Sequence, residues 1–301
     1  MSVEVKAADQ SQAAHVTSRA RKSVTALMFI SANPVLVAGA VATIALLLMG
    51  LLAPIIAPYP PETVDFNAIS LAPSPTHIFG TDSYGMDVFS RIIYAARIDM
   101  VVALSVVAIS IIIGTPLGAI AGFFGGTIID SVMMRFVDAV QAFPAFILAV
   151  MTVAILGQRV LDVVIVIAFL HFPSYLRLVR AKVLSARKSQ YADAARCIGN
   201  GNLRLIFRHL LPNCIDPIFP QSSLNAGYAI LLTAGLSFIG VGVRPPTPEW
   251  GAMINLGSQH MLTGEWWTSF FPGLAMIIAV LGFNLVSDGL QDLHDPTRRR
   301  R

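Results

Sequence analysis

An all-α integral membrane protein with six transmembrane helices is the fold class predicted by three features of this sequence. Mean hydropathy is +0.70. Apolar residues fill 55% of the 301 positions and charged residues 13%, about half the charged share of a soluble domain. The charges are also grouped, since residues 23–61, 100–129, 139–158, 217–243 and 266–287 contain no Asp, Glu, Lys or Arg. Each of these runs is long enough to cross a bilayer, which takes roughly 20 apolar residues.

Taken in order, residues 1–34 are polar, rich in small residues and lightly basic, and read as a cytoplasmic arm without a fold. The first span lies in residues 35–57. It is longer than the apolar core of a signal peptide and runs into A-P-Y-P-P rather than a cleavage pattern, which marks an uncleaved anchor. With the segment behind it, it forms an accessory region, 35–98. From Asp87 onward Val88, Ile92, Ile93 and Ala96 alternate with Arg91 and Arg97 at helical spacing, which predicts an amphipathic helix leading into the second span. A five-span core, 99–290, then carries spans at 100–129, 139–158, 161–176, 217–243 and 266–287, and a basic cytoplasmic tail, 291–301, closes the chain. The 161–176 span is short, with Asp162 near its start and Pro173 near its end. It is counted because only six spans put the Arg-rich interior loop and the Arg-rich C-terminus on one side. That topology places 17 of the 21 Lys and Arg residues inside, leaving Arg91, Arg97, Arg159 and Arg244 outside. Trp250, Trp266 and Trp267 fall at the outer edge of the last two spans, where an interfacial aromatic belt is expected.

The loop at 189–213 is unusual for its composition. Eight Lys and Arg residues lie between Arg177 and Arg208 against one acid, Asp193, which by itself describes a solvated loop drawn to anionic lipid. Yet Leu203, Ile206, Phe207 and Leu210 recur at helical spacing, and Gly199-Asn200-Gly201 offers a left-handed turn between two helices. Asn202 is placed to cap the second helix, Pro212 follows its end, and the small pair Ala194-Ala195 permits close approach of another surface. Helix, sharp turn and helix make a shape that inserts into a groove.

Asp193-Ala194-Ala195, Gly199 and Leu211-Pro212 closely resemble the cytoplasmic coupling loop of bacterial ATP-binding-cassette (ABC) importer permeases. Gly80, Thr81, Asp82, Gly85, Asp87, Ser90, Arg91, Tyr94 and Arg97 fall in register with a G-T-D-x-x-G-x-D-x-x-S-R-x-x-Y-x-x-R pattern. That pattern is similar to one found in the second permease of dipeptide, oligopeptide and nickel importers. G-L-S-F-I-G-V-G-V-R-P-P-T-P-E-W-G and F-N-L-V-S-D-G-L-Q-D-L-H-D-P resemble further segments of the same family, so the likeness covers nearly the whole chain. Met86, Asp99 and Asp193 depart from its usual Arg, Ser and Glu.

The resemblance implies a type I ABC importer permease fold in a bacterial inner membrane, multi-pass, with both termini cytoplasmic. It also implies four kinds of contact: a homologous permease, two ABC ATPase subunits, an extracytoplasmic substrate-binding protein and membrane lipid, with no nucleic acid. Asp193, Ala194, Ala195, Gly199, Leu203, Ile206, Leu211 and Pro212 would form the ATPase-coupling loop. The implied cargo is a di- or oligopeptide, or alternatively a nickel chelate or another small solute.

The chain has no Gly-Lys dipeptide and hence no phosphate-cradling G-x-x-x-x-G-K-[ST] loop, so it is expected not to be an enzyme. ATP and Mg would sit on partner ATPases, with no cofactor or metal in this subunit. Cys197 and Cys214 form no C-x-x-C pair and read as inert thiols. Gln221, Ser222, Asn225 and Tyr228 on the fifth span and Asn284 on the sixth are candidates for lining a pathway; singly, each reads as an interhelical hydrogen-bonding group. Two other classes are weaker. A secondary transporter commonly has ionisable groups at the midplane, and an intramembrane serine protease would need Ser237 and His171 paired.

Overall fold

The computed structural model describes residues 33–294. The N-terminal arm, 1–34, therefore falls almost wholly outside the described residues, and of the 291–301 tail residues 291–294 continue the last helix while the rest lies outside. Within them the chain is helical, with a single isolated bridge between Thr81 and Asp87.

Helix α1, Pro34–Leu51, begins where Asn33 Oδ1 accepts from Leu36 N at 3.3 Å and Pro34 occupies the first turn. A short turn, α2 (Ala53–Ile56), ends it. Helix α3, Val88–Phe123, is capped by Asp87, whose Oδ2 accepts from Ser90 N at 2.8 Å, and runs unbroken through position 98 and through Pro116. Helices α4 (Ile128–Gln141) and α5 (Ala145–Leu156) meet at an 86° bend. The span expected at 139–158 is therefore interrupted by a sharp bend. Pro144 accounts for the break, because it cannot donate to the preceding turn and drives Phe143 away from helical geometry.

Helix α6, Val160–Ala186, is longer than the 161–176 span expected, and Pro173 lies at its middle rather than its end. Arg177 and Arg180 look like loop cations in the sequence. In the fold they continue the helix because α4 supplies their partners: Arg177 Nη2 to Asp138 Oδ1 at 2.5 Å, and Arg180 to Asp130 at 2.5 and 2.7 Å. Inside the 189–213 loop lie α7 (Gln190–Cys197) and α8 (Asn202–Arg204), and after it come α9 (Ile218–Phe238), α10 (Trp250–Ser258) and α11 (Trp267–His294).

Four helices of the described residues, α1, α3, α6 and α11, are long and apolar enough to cross a membrane, and the α4–α5 pair makes five if counted as one crossing. Helix α9 has 21 residues and no ionic side chain, but Gln221, Ser222, Ser223 and Asn225 keep it below that measure. The molecule is a multi-pass helical membrane protein, and the expected sixth crossing rests on α9.

Small residues set the seams, as they do where helices pack without a hydrophobic drive. Gly114, Gly118 and Gly122 lie one turn apart on α3, and a Cβ on each would run into the backbone carbonyls of Phe172, Leu176 and Arg180 on α6. Ser110 Oγ adds a bond to Ala168 O at 3.1 Å. Gly39 on α1 meets Leu285 and Val286 on α11, and Gly289 returns the contact against Leu36. The α9–α11 seam is tied by Ser223 Oγ to Phe283 O at 2.6 Å and Ser287 Oγ to Pro220 O at 2.9 Å.

The tryptophans correct the aromatic-belt expectation. Trp250 is fully buried, with Nε1 donating to Ile92 O at 3.3 Å, and Trp267 is buried with Nε1 donating to Thr81 O at 3.1 Å; only Trp266 is exposed. Trp250 N also approaches Asp99 Oδ2 at 3.3 Å. Glu249 caps α10 with both carboxylate oxygens, on Gly251 N and Ala252 N, and its burial pushes its carboxyl above the ordinary range.

Arg91, expected on the wet face of an amphipathic helix, is also buried. It lies 3.7 Å from Asp82 and donates to Pro61 O at 2.9 Å. Asp82 Oδ1 in turn accepts from Tyr84 N and Met86 N, both at 2.9 Å. Asp87 meets His77 Nδ1 at 2.9 Å, and Ser90 Oγ accepts from Tyr59 N at 3.1 Å. The 80–97 motif is thus an internal clasp that folds the 57–87 segment onto the start of α3.

Candidate functional site

The 189–213 loop is a helix–turn–helix. Helix α7, Gln190–Cys197, is followed by Gly199 at φ +83, the left-handed conformation expected of it. Asn200 Nδ2 closes the turn on Ala195 O at 2.9 Å. Helix α8, Asn202–Arg204, continues as a π-helical turn, Leu205–Leu210, and a 3-10 turn, Leu211–Asn213. Gly201 occupies the cap position, and the Asn202 side chain makes no capping bond, so the expected Asn202 cap is not formed. Pro212 brings no N–H to the ladder, and Asn213 Nδ2 reaches His209 O at 2.8 Å.

The loop is fastened to the rest of the chain by its neighbouring cations. Arg187 donates to the last carbonyl of α3, Phe123 O at 2.6 Å, and to Gly125 O in the following turn at 3.1 Å, which satisfies acceptors left open past a helix end. Asp130, held by Arg180, accepts from Gly126 N at 3.0 Å. Of the eight cations between Arg177 and Arg208, Arg180 and Arg187 therefore pin the α3–α4 turn, and Arg177 pairs with Asp138 near the far end of α4.

Inward and outward faces of the loop are distinct. Ala192, Ala195, Leu205, Ile206 and Leu210 are buried against Ala119, Tyr175, Val179 and Val183 of α3 and α6. Ala195 and Ile206, expected to belong to a docking face, instead hold the loop to its own subunit. Leu211 is half-buried and Pro212 exposed. The outward face carries Asp193, Ala194, Gly199 and Leu203, together with Tyr191, Ile198 and Phe207, which the motif did not mark. Ile198 is 78% exposed and Leu203 69%. Arg196 pairs with Asp193 at 2.7 Å, and Arg204 and Arg208 complete a basic rim.

Gln221, Ser222, Asn225 and Tyr228 come together on α9. Gln221 Nε2 donates to Asn225 Oδ1 at 2.9 Å, Ser222 Oγ donates to Ile218 O at 2.6 Å, and Tyr175 OH of α6 approaches Ser222 Oγ at 3.4 Å. Tyr228 and Asn225 line a cavity of about 480 Å³ with His171 and Ser174 of α6 and with Gln141 and Phe143 at the α4–α5 bend. Asn284 is separate, sitting on the α9–α11 seam opposite Gly227. Gln141 and Ser174 were not marked in the sequence; Pro144, interrupting the charge-free run at 139–158, is the signal that points to them.

Ser237 and His171 do not pair. Ser237 Oγ accepts from Val243 N at 3.0 Å, while the His171 ring lies against Tyr228 with centroids 5.3 Å apart. Cys197 is exposed and Cys214 buried, both as free thiols.

Residues 114–300 match the family described as binding-protein-dependent transport system inner membrane component. Residues 26–73 match the N-terminal transmembrane domain of oligopeptide transport permease C. A dipeptide transport system permease protein of Alkalihalophilus pseudofirmus is 43% identical over 78% of this chain and 76% of its own length. A probable D,D-dipeptide transport system permease protein of Escherichia coli is 38% identical over 89% of each chain. A glutathione transport system permease protein of Pectobacterium atrosepticum is 39% identical over 79% of each.

Proposed function

The chain belongs to the family of binding-protein-dependent transport inner membrane components, and from that premise we propose that it is one of two permeases of an ATP-driven peptide importer. Its relatives' names, for dipeptide, D,D-dipeptide and glutathione permeases, support a short peptide as cargo. Partner ATPases supply ATP and Mg chemistry, a second permease completes the pathway, and a binding protein outside the membrane delivers cargo. Helix α9 is the sixth crossing, its polar face turned into the pathway. The 17-to-4 division of basic residues under that topology supports a cytoplasmic placement of both termini and the 189–213 loop.

The observation that carries this reading is the outward face of the loop. Ile198 and Leu203, either side of the Gly199 turn, are large apolar side chains left exposed within a basic rim. An apolar helix tip with a charged border is the form that enters a groove on a partner. Behind it, Leu205, Ile206 and Leu210 join the tip to α3 and α6, so displacement of the tip moves both helices. ATP-driven closure of the ATPase pair thereby reaches the cavity between α4, α6 and α9.

Reconstitution with the partner permease, ATPases and binding protein tests the reading. ATP-dependent accumulation of a labelled dipeptide in proteoliposomes is the expected result. Accumulation of a nickel chelate with no peptide uptake would replace the peptide assignment with the metal one.

A further inference from the structure

The cavity at the α4–α5 bend carries a specific chemistry. It measures about 480 Å³, inside the range of roughly 300–1,000 Å³ typical of small-molecule sites. Its position is central: His171 is the twelfth of 27 residues in α6 and Tyr228 the eleventh of 21 in α9. A broken helix facing polar side chains near mid-span is how membrane carriers build cargo sites, because irregular backbone at that depth persists only where it lines a cavity or is buried in protein.

Two side chains of this cavity are buried with an unused polar atom. Asn225 is 7% exposed, its Oδ1 already accepts from Gln221, and its Nδ2, beside the Tyr175 hydroxyl, makes no hydrogen bond of normal geometry. His171 is 6% exposed, and its Nδ1 has no partner. Buried polar groups are nearly always satisfied, so two under-satisfied groups beside one polar cavity favour a ligand as the missing partner. Tyr228, Ser174 and Gln141 add neutral groups that both donate and accept. No Asp, Glu, Lys or Arg lines the cavity. Among the described residues no cluster of three His, Cys, Asp or Glu is placed to hold a metal ion.

We infer that this cavity is a transient cargo site for the uncharged peptide bond of a short peptide, and not for its charged ends or for a metal chelate. The inference rests on the peptide-importer reading. Asn225 Nδ2 donates to the cargo's carbonyl oxygen, while the oxygens of Tyr228, Ser174 and Gln141 are available to accept its N–H. Recognition of the backbone amide alone tolerates many side chains. It discriminates against cargo without an amide, because the buried donors would then stay unpaired.

The test uses the complete reconstituted complex, saturated with binding protein loaded with radiolabelled glycyl-leucine, with uptake and ATP hydrolysis followed together. Asn225→Leu keeps the volume and removes the donor. Its maximal uptake is expected to fall about tenfold while stimulated ATP hydrolysis stays within about twofold, and Asn225→Gln is expected to recover part of the loss. Gln141 and Tyr228 are exposed at the rim, so Gln141→Leu and Tyr228→Phe leave the fold intact and are expected to lower uptake about threefold each. Unchanged uptake in assembled Asn225→Leu complexes would overturn the inference, and if that variant fails to assemble, unchanged uptake in both rim variants would do the same. Absence of glycyl-leucine uptake by the unmodified complex would instead remove the peptide reading itself, and the peptide-bond site with it.

Discussion

The segment before α3 and the helix–turn–helix after α6 are the two most motif-dense stretches of the chain, and they deploy polar residues in opposite directions. Before α3, Thr81, Asp82, Asp87, Ser90 and Arg91 are all buried and turned on one another. Burial outweighs the nearby Arg91 charge and raises the Asp82 carboxyl above its ordinary range. In the helix–turn–helix Ala192, Ala195, Leu205, Ile206 and Leu210 go inward, while Asp193, Arg196, Arg204 and Arg208 face out around the exposed Ile198 and Leu203. Dense motifs therefore report two different constraints: a clasp that must close on itself, and a surface left open for another protein.

Substitutions separate the two. The largest effect is expected from Arg91→Ala, which leaves buried Asp82 without its cation and Pro61 O without its donor. Removing one member of a buried pair costs about 3–5 kcal/mol, to be read as lost thermal stability of the purified subunit and low abundance in membranes. A conserved melting temperature would show that the clasp is not closed. Next come two adjacent alanines. Ala195 is buried against the core of α3 and α6 whereas Ala194 is exposed. Ala195→Arg should destabilise by about 2–4 kcal/mol through overpacking and charge burial, and Ala194→Arg should leave stability unchanged while reducing ATPase association. Equal melting temperatures for these two variants would erase the distinction between the loop's faces.

Two glycines give a finer comparison. Gly85 at φ +76 and Gly199 at φ +83 both sit in left-handed backbone, but a Cβ on Gly85 would fall on the Asp65 carbonyl and one on Gly199 meets nothing within 4 Å. Gly85→Ala should cost about 2–4 kcal/mol, backbone strain plus clash, and Gly199→Ala about 1–2 kcal/mol from strain alone. Denaturation of the two variants side by side checks this. Bulk at Gly199 has open space around it, so strain alone sets its cost. The smallest effect belongs to Asp193→Ala. The Asp193–Arg196 pair is 64% and 44% exposed, and such surface pairs contribute about 0.2–1 kcal/mol at most, so its melting temperature should match the unmodified subunit.

The helical membrane class was legible because charge-free runs are a one-dimensional signal. The left-handed Gly199 turn was legible because few residues adopt that backbone. What the sequence hides is direction. Leu203 and Ile206 are both apolar and both on helical spacing, yet one is exposed and the other buried, since the π-helical turn at Leu205–Leu210 changes the angular register that a 3.6-residue period assumes. Arg177 and Arg180 ended the fourth span on paper because their acids, Asp138 and Asp130, come from a different helix. The broken α4–α5 span was announced by Pro144, and the α3–α6 seam by Gly114, Gly118 and Gly122 at four-residue intervals, although hydropathy reads neither. Trp250 and Trp267 sit at the ends of apolar runs, as belt residues do, but α3 covers the first and the 57–87 segment the second.

The central claim is that the exposed tip of the helix–turn–helix transmits force between subunits. Leu203→Arg addresses it with least collateral damage, because Leu203 is 69% exposed and absent from the buried face of the loop. In proteoliposomes holding the complete importer, the variant subunit should assemble at normal levels while dipeptide uptake falls at least about tenfold and loaded binding protein no longer stimulates ATP hydrolysis. Uptake and stimulation within about twofold of the unmodified importer, well below the tenfold that one anchor side chain commonly carries, would contradict the account and leave the tip as a solvated loop.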